Sequence, residues 1–363
     1  MKWLLRIALT LGVMALLAVG GLRLFAGPIG MGLYRHQVEA RLGLDRRDLL
    51  PDGLHIGFCG TGSPLPDPTR AASCAVVIAG ERVFIVDAGS GSTANLLLMG
   101  VPVGDAEALF LTHFHSDHIS DLADMALQRW VGGARREPLP VIGPDGVEQV
   151  VAGFNLAYGL DHGYRTAHHG EAVLPSSGAG LVARPIGASR EPFTVLDEGG
   201  VLIRAVAVDH TPVSPALAYR FDYGGRSLVI SGDLDAEVSP GFTALAAGAD
   251  LLVVEALQPA MTGLIEAQAA AIGAENLAKV ARDILDYHTT PEEAADAARA
   301  AGSDMLVLTH IVPALPSGLL HAAFLGGAPE RFPGPIHIAR DGDAVVLERD
   351  SDRVKVETWM FRG

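Results

Sequence analysis

The sequence has few lysines, few cysteines and few aromatic residues. Three of its 363 residues are lysine, two are cysteine and 6% are aromatic, while the net charge is -15. An acidic surface repels phosphate backbones, so the charge predicts that nucleic acid is a poor partner for this protein. With so few aromatic rings, Ala, Leu, Val and Gly must fill the core, and a chain of this length can bury one without covalent staples.

The two cysteines restrict the chemistry further. Cys59 and Cys74 do not form a CxxC pair, which argues against a zinc site built from thiolates. Both lie in short apolar runs typical of neighbouring strands, and the favoured interpretation is a pair of buried free thiols. A disulfide is the alternative, and it would suit an exported protein.

The only long apolar run outside the strand-like segments is at the start. Sixteen uncharged, mostly apolar residues, Ile7 to Leu22, follow Lys2 and Arg6. A helix of that length spans about 24 Å, short of the ~30 Å hydrocarbon core unless the next residues join it. We predict a membrane anchor over residues 1–26, a connector over 27–50 and a periplasmic remainder. A cleaved signal peptide is the alternative.

Residues 51–363 have the pattern of one α/β domain. Strands first come in hairpins, such as 73–89, and then alternate with helices, twice over, which predicts two sheet-rich halves with outer helices. The segment 161–200 has no clean period and contains His162, His168 and His169. We expect an irregular excursion there that forms a lid or pocket wall, with ordinary exposed loop histidines as the alternative.

Residues 113–118 read HFHSDH and follow a strand-like apolar run, ALFLT. Histidines rarely cluster in a core without partners, and α/β proteins place their chemistry at strand ends. In an extended segment His113 and His115 face the same way and can bind one ion, while Asp117 and His118 can bind a second. Imidazole and carboxylate ligands suit zinc, with iron or manganese as alternatives.

Three further polar residues end apolar runs in the same way. They are His210 after RAVAVD, Asp233 after SLVISG and His310 after MLVLT. Together with the HFHSDH segment they make seven candidate ligands, enough for two metal ions with three ligands each and one shared carboxylate.

These motifs, HFHSDH, VDH, SGD and LTH in that order, resemble the metallo-β-lactamase superfamily over roughly residues 54–348. The motifs GTGSPLP, VDAG, HTPVSPALAYR and YHTTPEEAA resemble its ribonuclease Z/arylsulfatase-like branch. The resemblance implies an αβ/βα sandwich, with two mixed sheets packed face to face and helices outside. It also implies the metal ligands: His113, His115 and His210 for one ion, Asp117, His118 and His310 for the other, and Asp233 as the bridge.

Three residues outside the predicted ligand set are candidates for supporting roles. His288 precedes a helix start with a capping box, Thr290 to Glu293. The resemblance implies that it assists catalysis, either by protonating the leaving group or by stabilising the transition state. Glu255 is expected to orient His288 or a ligand, and Asp87 to brace the histidine cluster. Asp117 is expected to act in catalysis as well as in metal binding. The alternatives are a surface histidine and two turn-capping carboxylates.

The predicted reaction is hydrolysis. Two dications lower the pKa of a shared water, so a hydroxide is available near neutral pH to attack an ester. The charge of the chain favours a small ester, first a phosphodiester, with an aryl sulfate or lactone as alternatives.

Two other functions rank lower in this interpretation. A tRNA 3′-processing enzyme ranks lower because the chain is acidic, is expected to be exported, and has only a hairpin between His210 and Asp233, where the tRNA-processing enzymes carry a long insertion. A non-catalytic metal-binding protein ranks lower because Asp233 and His288 are both present. A homodimer is left open.

Overall fold

A computed structural model describes residues 2–360, with the backbone alone described at 15–18, 22 and 24. The chain forms two compact units, and the boundary between them lies between Asp45 and Arg46. The first unit contains helix α1, Lys2–Arg41. Its Lys2–Gly21 part has the length and composition to cross a membrane, with a mean hydropathy of 2.0, as a signal sequence also would. Because α1 ends at Arg41, it includes most of the predicted connector, residues 27–50.

The second unit contains fifteen strands within the described residues. They are β1 (Gly53–Gly60), β2 (Cys74–Ala79), β3 (Arg82–Val86), β4 (Ala108–Phe110), β5 (Leu139–Gly143), β6 (Leu181–Pro185), β7 (Phe193–Glu198), β8 (Val201–His210), β9 (Val213–Tyr223), β10 (Arg226–Ile230), β11 (Leu251–Leu257), β12 (Met305–Val312), β13 (Ile336–Ile338), β14 (Asp343–Glu348) and β15 (Val354–Thr358). One mixed sheet has the order β15-β14-β1-β2-β3-β4-β5-β6, and the other has the order β13-β12-β11-β10-β9-β8-β7.

Helices connect these strands and cover the sheets. They are α2 (Ser92–Leu98), α3 (Ser116–Ile119), α4 (Leu122–Gly133), α5 (Val147–His169), α6 (Pro240–Ala246), α7 (Pro259–Ala271), α8 (Glu275–Asp283), α9 (Pro291–Ala301), α10 (His321–Leu325) and α11 (Ala328–Arg331).

The core has three apolar layers, and strand β2 illustrates why. Ala75 and Val77 face the layer between the two sheets, where Phe84, Phe110 and Phe221 also lie. Val76 and Ile78 point the other way, into the layer beneath the helices of the first sheet. Successive side chains of a strand alternate between faces, so a strand covered on both faces must be apolar throughout. The predicted αβ/βα sandwich is confirmed.

The sheet ends carry the candidate site. Strands β3 and β4 run parallel in one sheet, and β10, β11 and β12 run parallel in the other. The pairing of β11 with β12 shifts register so that Glu255 lies opposite Thr309 and Ala256 opposite Ile311. His310 is the extra residue of this bulge, with a left-handed φ of 47°. Bulges and such backbone strain occur often beside active sites, because they redirect a side chain.

The segment 161–200 differs from the expected irregular lid. Helix α5 continues to His169, and the rest supplies β6 to one sheet and β7 to the other, so the segment is the connection between the two sheets. His162 packs edge-on against Trp130, with ring centroids 5.7 Å apart, while His168 and His169 are exposed. The part of α5 that lies in this segment, residues 161–169, is DHGYRTAHH, so it lacks the apolar stripe that would have revealed a helix.

Cys59 and Cys74 form a disulfide between β1 and β2, so the prediction of two free thiols is wrong. Both residues are buried, as expected. An irregularity in the β1–β2 pairing places Cys74 opposite Gly60 and brings the cysteine Cα atoms to 5.1 Å. That distance permits a disulfide, and it depends on a strand register that the sequence alone does not specify.

Candidate metal centre

The HFHSDH segment follows β4 after two residues, Leu111 and Thr112, and enters the short helix α3. His113 is buried and His115 is half-buried. The Nε2 atom of His113 lies 3.0 Å from the Nδ1 atom of His115, so the two rings direct nitrogen atoms toward one point. The sequence predicted that these two histidines face the same way, and the structure brings them together.

His210, at the end of β8, completes a first cluster. Its ring centroid lies 5.0 Å from that of His113 and 5.3 Å from that of His115. Its Nδ1 atom donates a hydrogen bond to the Tyr287 carbonyl oxygen at 2.9 Å. A carbonyl can only accept, so Nδ1 carries the proton and Nε2 keeps its lone pair. One ligand atom each from His113, His115, His210 and Asp233 lie within 4.8 Å of one another.

Asp117, His118 and His310 form a second cluster. The Nε2 atom of His310 lies 3.1 Å from Oδ2 of Asp117, and the Nε2 atom of His118 lies 3.5 Å from the same oxygen. Ligand atoms of all three also lie within 4.8 Å of one another. The two clusters are the two groups of ligands that the sequence predicted.

Asp233 lies between the clusters. Its carboxylate oxygens are 3.4 Å from Nε2 of His118 and 3.3 Å from Nε2 of His310, both in the second cluster. They are also 3.9 Å from Nε2 of His113 and of His210, in the first cluster. A buried carboxylate within reach of both groups has the geometry of a bridging ligand.

The donor atoms fit divalent metal ions. The Nε2 atoms of His118 and His210 and the Oδ1 atom of Asp233 are buried, and they have no hydrogen-bond partner in the described chain. Leaving such atoms without partners is costly, and a cation would satisfy their lone pairs. Imidazole nitrogen and carboxylate oxygen together suit zinc, iron or manganese.

The electrostatic environment favours the metal-binding protonation states of His113, His210 and Asp233. Burial lowers the pKa of His113 well below its usual value and that of His210 to about 4, so both rings are neutral near pH 7. Burial alone would raise the pKa of Asp233, but the nearby His310 and His118 hold it well below its usual value. His310, buried beside Asp233 and Asp117, has its pKa raised by those carboxylates to about 9. Two anions facing it attract cations, whether protons or metal ions.

Asp87 supports the second cluster from outside. Its Oδ2 atom lies 2.8 Å from Nδ1 of His118, leaving Nε2 of that ring directed at the site. The Thr112 N–H and hydroxyl each donate to Asp87 at 2.9 Å. Such contacts fix the ring orientation of metal-binding histidines. Asp87 lies where the sequence predicted a brace.

His288 and Glu255 form a second supporting pair. The Nδ1 atom of His288 lies 2.7 Å from Oε1 of Glu255, which also accepts the N–H groups of Leu234 and Thr289. The predicted capping box is present, because the Thr290 hydroxyl accepts the N–H of Glu293 and the Glu293 carboxylate accepts the N–H of Thr290. It fixes the loop that carries His288, whose imidazole stacks on that of His310 with centroids 5.6 Å apart.

Two contacts of the site were not predicted from the sequence. Thr112 orients Asp87, and the backbone of Tyr287 orients His210. The position of Thr112 next to His113 was the only available signal for the first. The contact of His210 with Tyr287 joins residues 77 positions apart. It uses a main-chain carbonyl, which every residue has, so the sequence carries no signal for it.

Comparison with known proteins agrees with this geometry. A family model described as the metallo-beta-lactamase superfamily matches residues 67–310. Ribonuclease Z of Mycobacterium avium (strain 104) is 37% identical over 302 residues, which cover 82% of this chain and 100% of that protein. Ribonuclease Z of Mycobacterium marinum is 38% identical over 268 residues, covering 73% of this chain and 88% of that protein.

Solved structures share the fold. The metallo-beta-lactamase fold protein YhfI from Bacillus subtilis has a TM-score of 0.56 and 22% identity, covering 81% of this chain and 98% of that one. Human tRNase Z, short form, has a TM-score of 0.56 and 21% identity, covering 82% of this chain and 100% of that one. The family resemblance seen in the sequence motifs is confirmed, and so is the prediction of a hydrolase that depends on divalent metals. This chain belongs to the metallo-beta-lactamase superfamily and, within it, to the ribonuclease Z branch.

Proposed function

We propose that this protein is an endoribonuclease that hydrolyses phosphodiester bonds in RNA, with precursor tRNA as the first substrate to test. The observation that carries the proposal is the 37% identity to a ribonuclease Z along that protein's entire length. The double cluster of buried histidines and aspartates supports it, because two metal ions can neutralise the charge that develops when a phosphodiester is cut.

This proposal corrects the sequence-based ranking. A small ester was placed first, with aryl sulfate and lactone behind it, and nucleic acid was considered a poor partner. The ribonuclease Z relatives contradict both the ranking and the partner. The net charge of -15, from which a small substrate was predicted, is a sum over the whole chain. The potential at one site depends on local charges, and two bound dications would add +4 there.

His113, His115 and His210 would hold one metal ion, Asp117, His118 and His310 the other, and Asp233 both. We propose zinc, with iron or manganese as the alternatives. When bound, the ions supply a water of lowered pKa and a positive counter-charge for the phosphate oxygens.

His288 is the proposed proton donor. Burial would lower its pKa, but the contact with Glu255 outweighs burial and raises it above the usual value. The contact with Glu255 therefore favours the protonated form of the ring. Because Nδ1 is bonded to Glu255, Nε2 is the nitrogen that remains to give a proton to the leaving oxygen. Glu255 positions His288 and stabilises its charged form.

The test uses the full chain in detergent, loaded with zinc or manganese, and a 5′-labelled precursor tRNA with a 3′ extension. We expect one major cut, which requires metal and is lost in Asp233→Asn. A panel of p-nitrophenyl phosphodiester, p-nitrophenyl sulfate and a lactone serves as the comparison. A fully metallated enzyme that hydrolyses the sulfate or the lactone but leaves every RNA intact would contradict the proposal.

We further propose that the Lys2–Gly21 segment anchors the protein in a membrane. Its length and mean hydropathy of 2.0 support this. The disulfide between Cys59 and Cys74 supports a domain on the periplasmic side, because disulfides persist in oxidising compartments. Fusing a periplasm-dependent and a cytoplasm-dependent reporter to the C-terminus in turn tests the side. Activity of the cytoplasm-dependent reporter alone would place the domain inside, where precursor tRNA is made. Activity of the periplasm-dependent reporter alone would support the proposed side and exclude precursor tRNA as the natural substrate, leaving other RNA.

A further inference from the structure

An apolar groove of about 580 Å³ lies beside the candidate metal centre. Its position follows from the chain: Phe114 lies between His113 and His115, and Ile119 directly follows His118. The opposite wall is helix α5, which contributes Val150, Phe154 and Tyr158. The groove is thus lined by residues that are chain neighbours of the candidate ligands, and no part of the proposed reaction uses it.

The groove presents aromatic faces with open space between them. Phe154 and Tyr158 are four residues apart on α5, so their side chains lie on one face of the helix. Gly153 and Ala157 line the same groove, and a Cβ atom added at Gly153 would meet nothing within 4 Å. At Gly146, by contrast, an added Cβ would lie 3.1 Å from the ring of Phe114, so glycine there leaves room for that ring.

The groove also has a polar rim. Asp145 and Gln149 line it, and both are exposed. A carboxylate repels a phosphate, yet it accepts hydrogen bonds from the amino and imino groups of a base. Flat aromatic walls with hydrogen-bonding groups at one edge match a nucleobase, which has apolar faces and a polar edge.

We propose that this groove binds one nucleobase of the RNA, the base of a nucleotide that flanks the scissile phosphate. The inference rests on the proposed function, since the base is delivered by the RNA that is cut. The base stacks on the aromatic side chains of the groove, and its edge faces Asp145 and Gln149. Stacking tolerates every base, while the rim residues give a preference among bases.

A binding measurement tests the groove without requiring cleavage. The probe is a single-stranded RNA tetranucleotide with one 2-aminopurine, whose fluorescence falls when it stacks. We expect quenching with the metal-loaded wild type and its loss in Tyr158→Ala and in Phe154→Ala. Tyr164→Ala is the matched control, because Tyr164 lies on the same helix, is 68% exposed and does not line the groove. No quenching with the wild type, or equal quenching by all variants at equal thermal stability, would overturn the inference.

A cleavage measurement tests the same contact in the substrate. An abasic nucleotide is placed in turn on the 5′ and on the 3′ side of the scissile phosphate. At one of these positions it should lower kcat/KM of the wild type by about 5- to 150-fold. Tyr158→Ala should lower kcat/KM for normal RNA within that range but change it little for the abasic RNA. The substitution and the loss of the base remove the same stacking interaction, so their effects should not add. Losses that multiply would contradict the inference.

The two proposals fail in different ways. A wild type that quenches the probe through Tyr158 but cuts no RNA would overturn the ribonuclease function and leave a base-binding groove. If the wild type cuts RNA, and Tyr158→Ala and Phe154→Ala cut it at the same rate, base binding in the groove is contradicted and the ribonuclease function stands.

Discussion

The Nδ1 atom of His288 lies 2.7 Å from the Oε1 atom of Glu255, next to the clustered metal-binding groups. Only 8% of the His288 side chain and 1% of the Glu255 side chain are exposed. Glu255 raises the pKa of His288 against the effect of burial. The contact thus stabilises the charged form of His288, the proposed proton donor.

Replacing His288 by alanine should slow catalysis and leave metal binding intact. We expect kcat to fall by about 10²- to 10⁴-fold, the usual contribution of a general acid. Metal analysis should still find two ions per chain, because His288 is outside the proposed ligand set. His162→Ala is the matched control, since His162 on helix α5 packs against Trp130 on helix α4 and belongs to neither cluster. Unchanged turnover in His288→Ala would remove it from the mechanism.

Replacing Glu255 by glutamine should change the pH dependence of kcat. The substitution keeps the shape of the side chain and removes the charge that raises the pKa of His288. A lower pKa means that His288 loses its proton at lower pH, so the basic limb of the pH–rate profile should move to lower pH. A profile that keeps its basic limb in place would show that Glu255 does not set the protonation of His288.

Replacing Asp87 by asparagine should weaken metal binding. Asp87 holds His118 through Nδ1 at 2.8 Å and is itself held by Thr112. Loss of such an outer contact typically lowers metal affinity by about 10- to 100-fold. Competition with a chelator measures the change. As a control, Asp145→Asn removes a carboxylate that lines the groove and is outside both ligand groups, so it should retain wild-type affinity.

The disulfide should stabilise the catalytic domain. Cys59 and Cys74 are 15 residues apart, and closing a loop of that size contributes about 3 kcal/mol to the free energy of unfolding. Denaturant unfolding of Cys59→Ala/Cys74→Ala should show a loss of this order, and a reductant should destabilise the wild type but not the variant. The chain has no other cysteine, so the reductant has one target. Equal stability with and without reductant would contradict the prediction.

The candidate ligands could be predicted because each one obeys a local rule. His210, Asp233 and His310 all end apolar runs, and strands covered on both faces end at the edges where α/β proteins place their chemistry. The fold followed from the same motifs through the family resemblance. The roles of these side chains in metal binding and catalysis stay predictions.

Features that depend on long-range geometry could not be predicted. The disulfide requires a particular register between β1 and β2, and the carbonyl contact of His210 requires the loop at Tyr287. The last turns of helix α5, residues 161–169, were predicted as irregular because their sequence, DHGYRTAHH, shows no helical stripe of apolar residues. The substrate class was wrong because the net charge of the chain does not report the potential at one site.

We propose that seven side chains of this protein bind two metal ions, and that both ions share Asp233. Elemental analysis of the purified full chain, after loading with zinc and removal of excess metal, tests it most directly. We expect two zinc ions per chain for the wild type and for the control Asp235→Asn, and one or fewer for Asp233→Asn. A wild type that takes up no zinc, iron or manganese, or an Asp233→Asn variant that holds two ions and stays active, would contradict it.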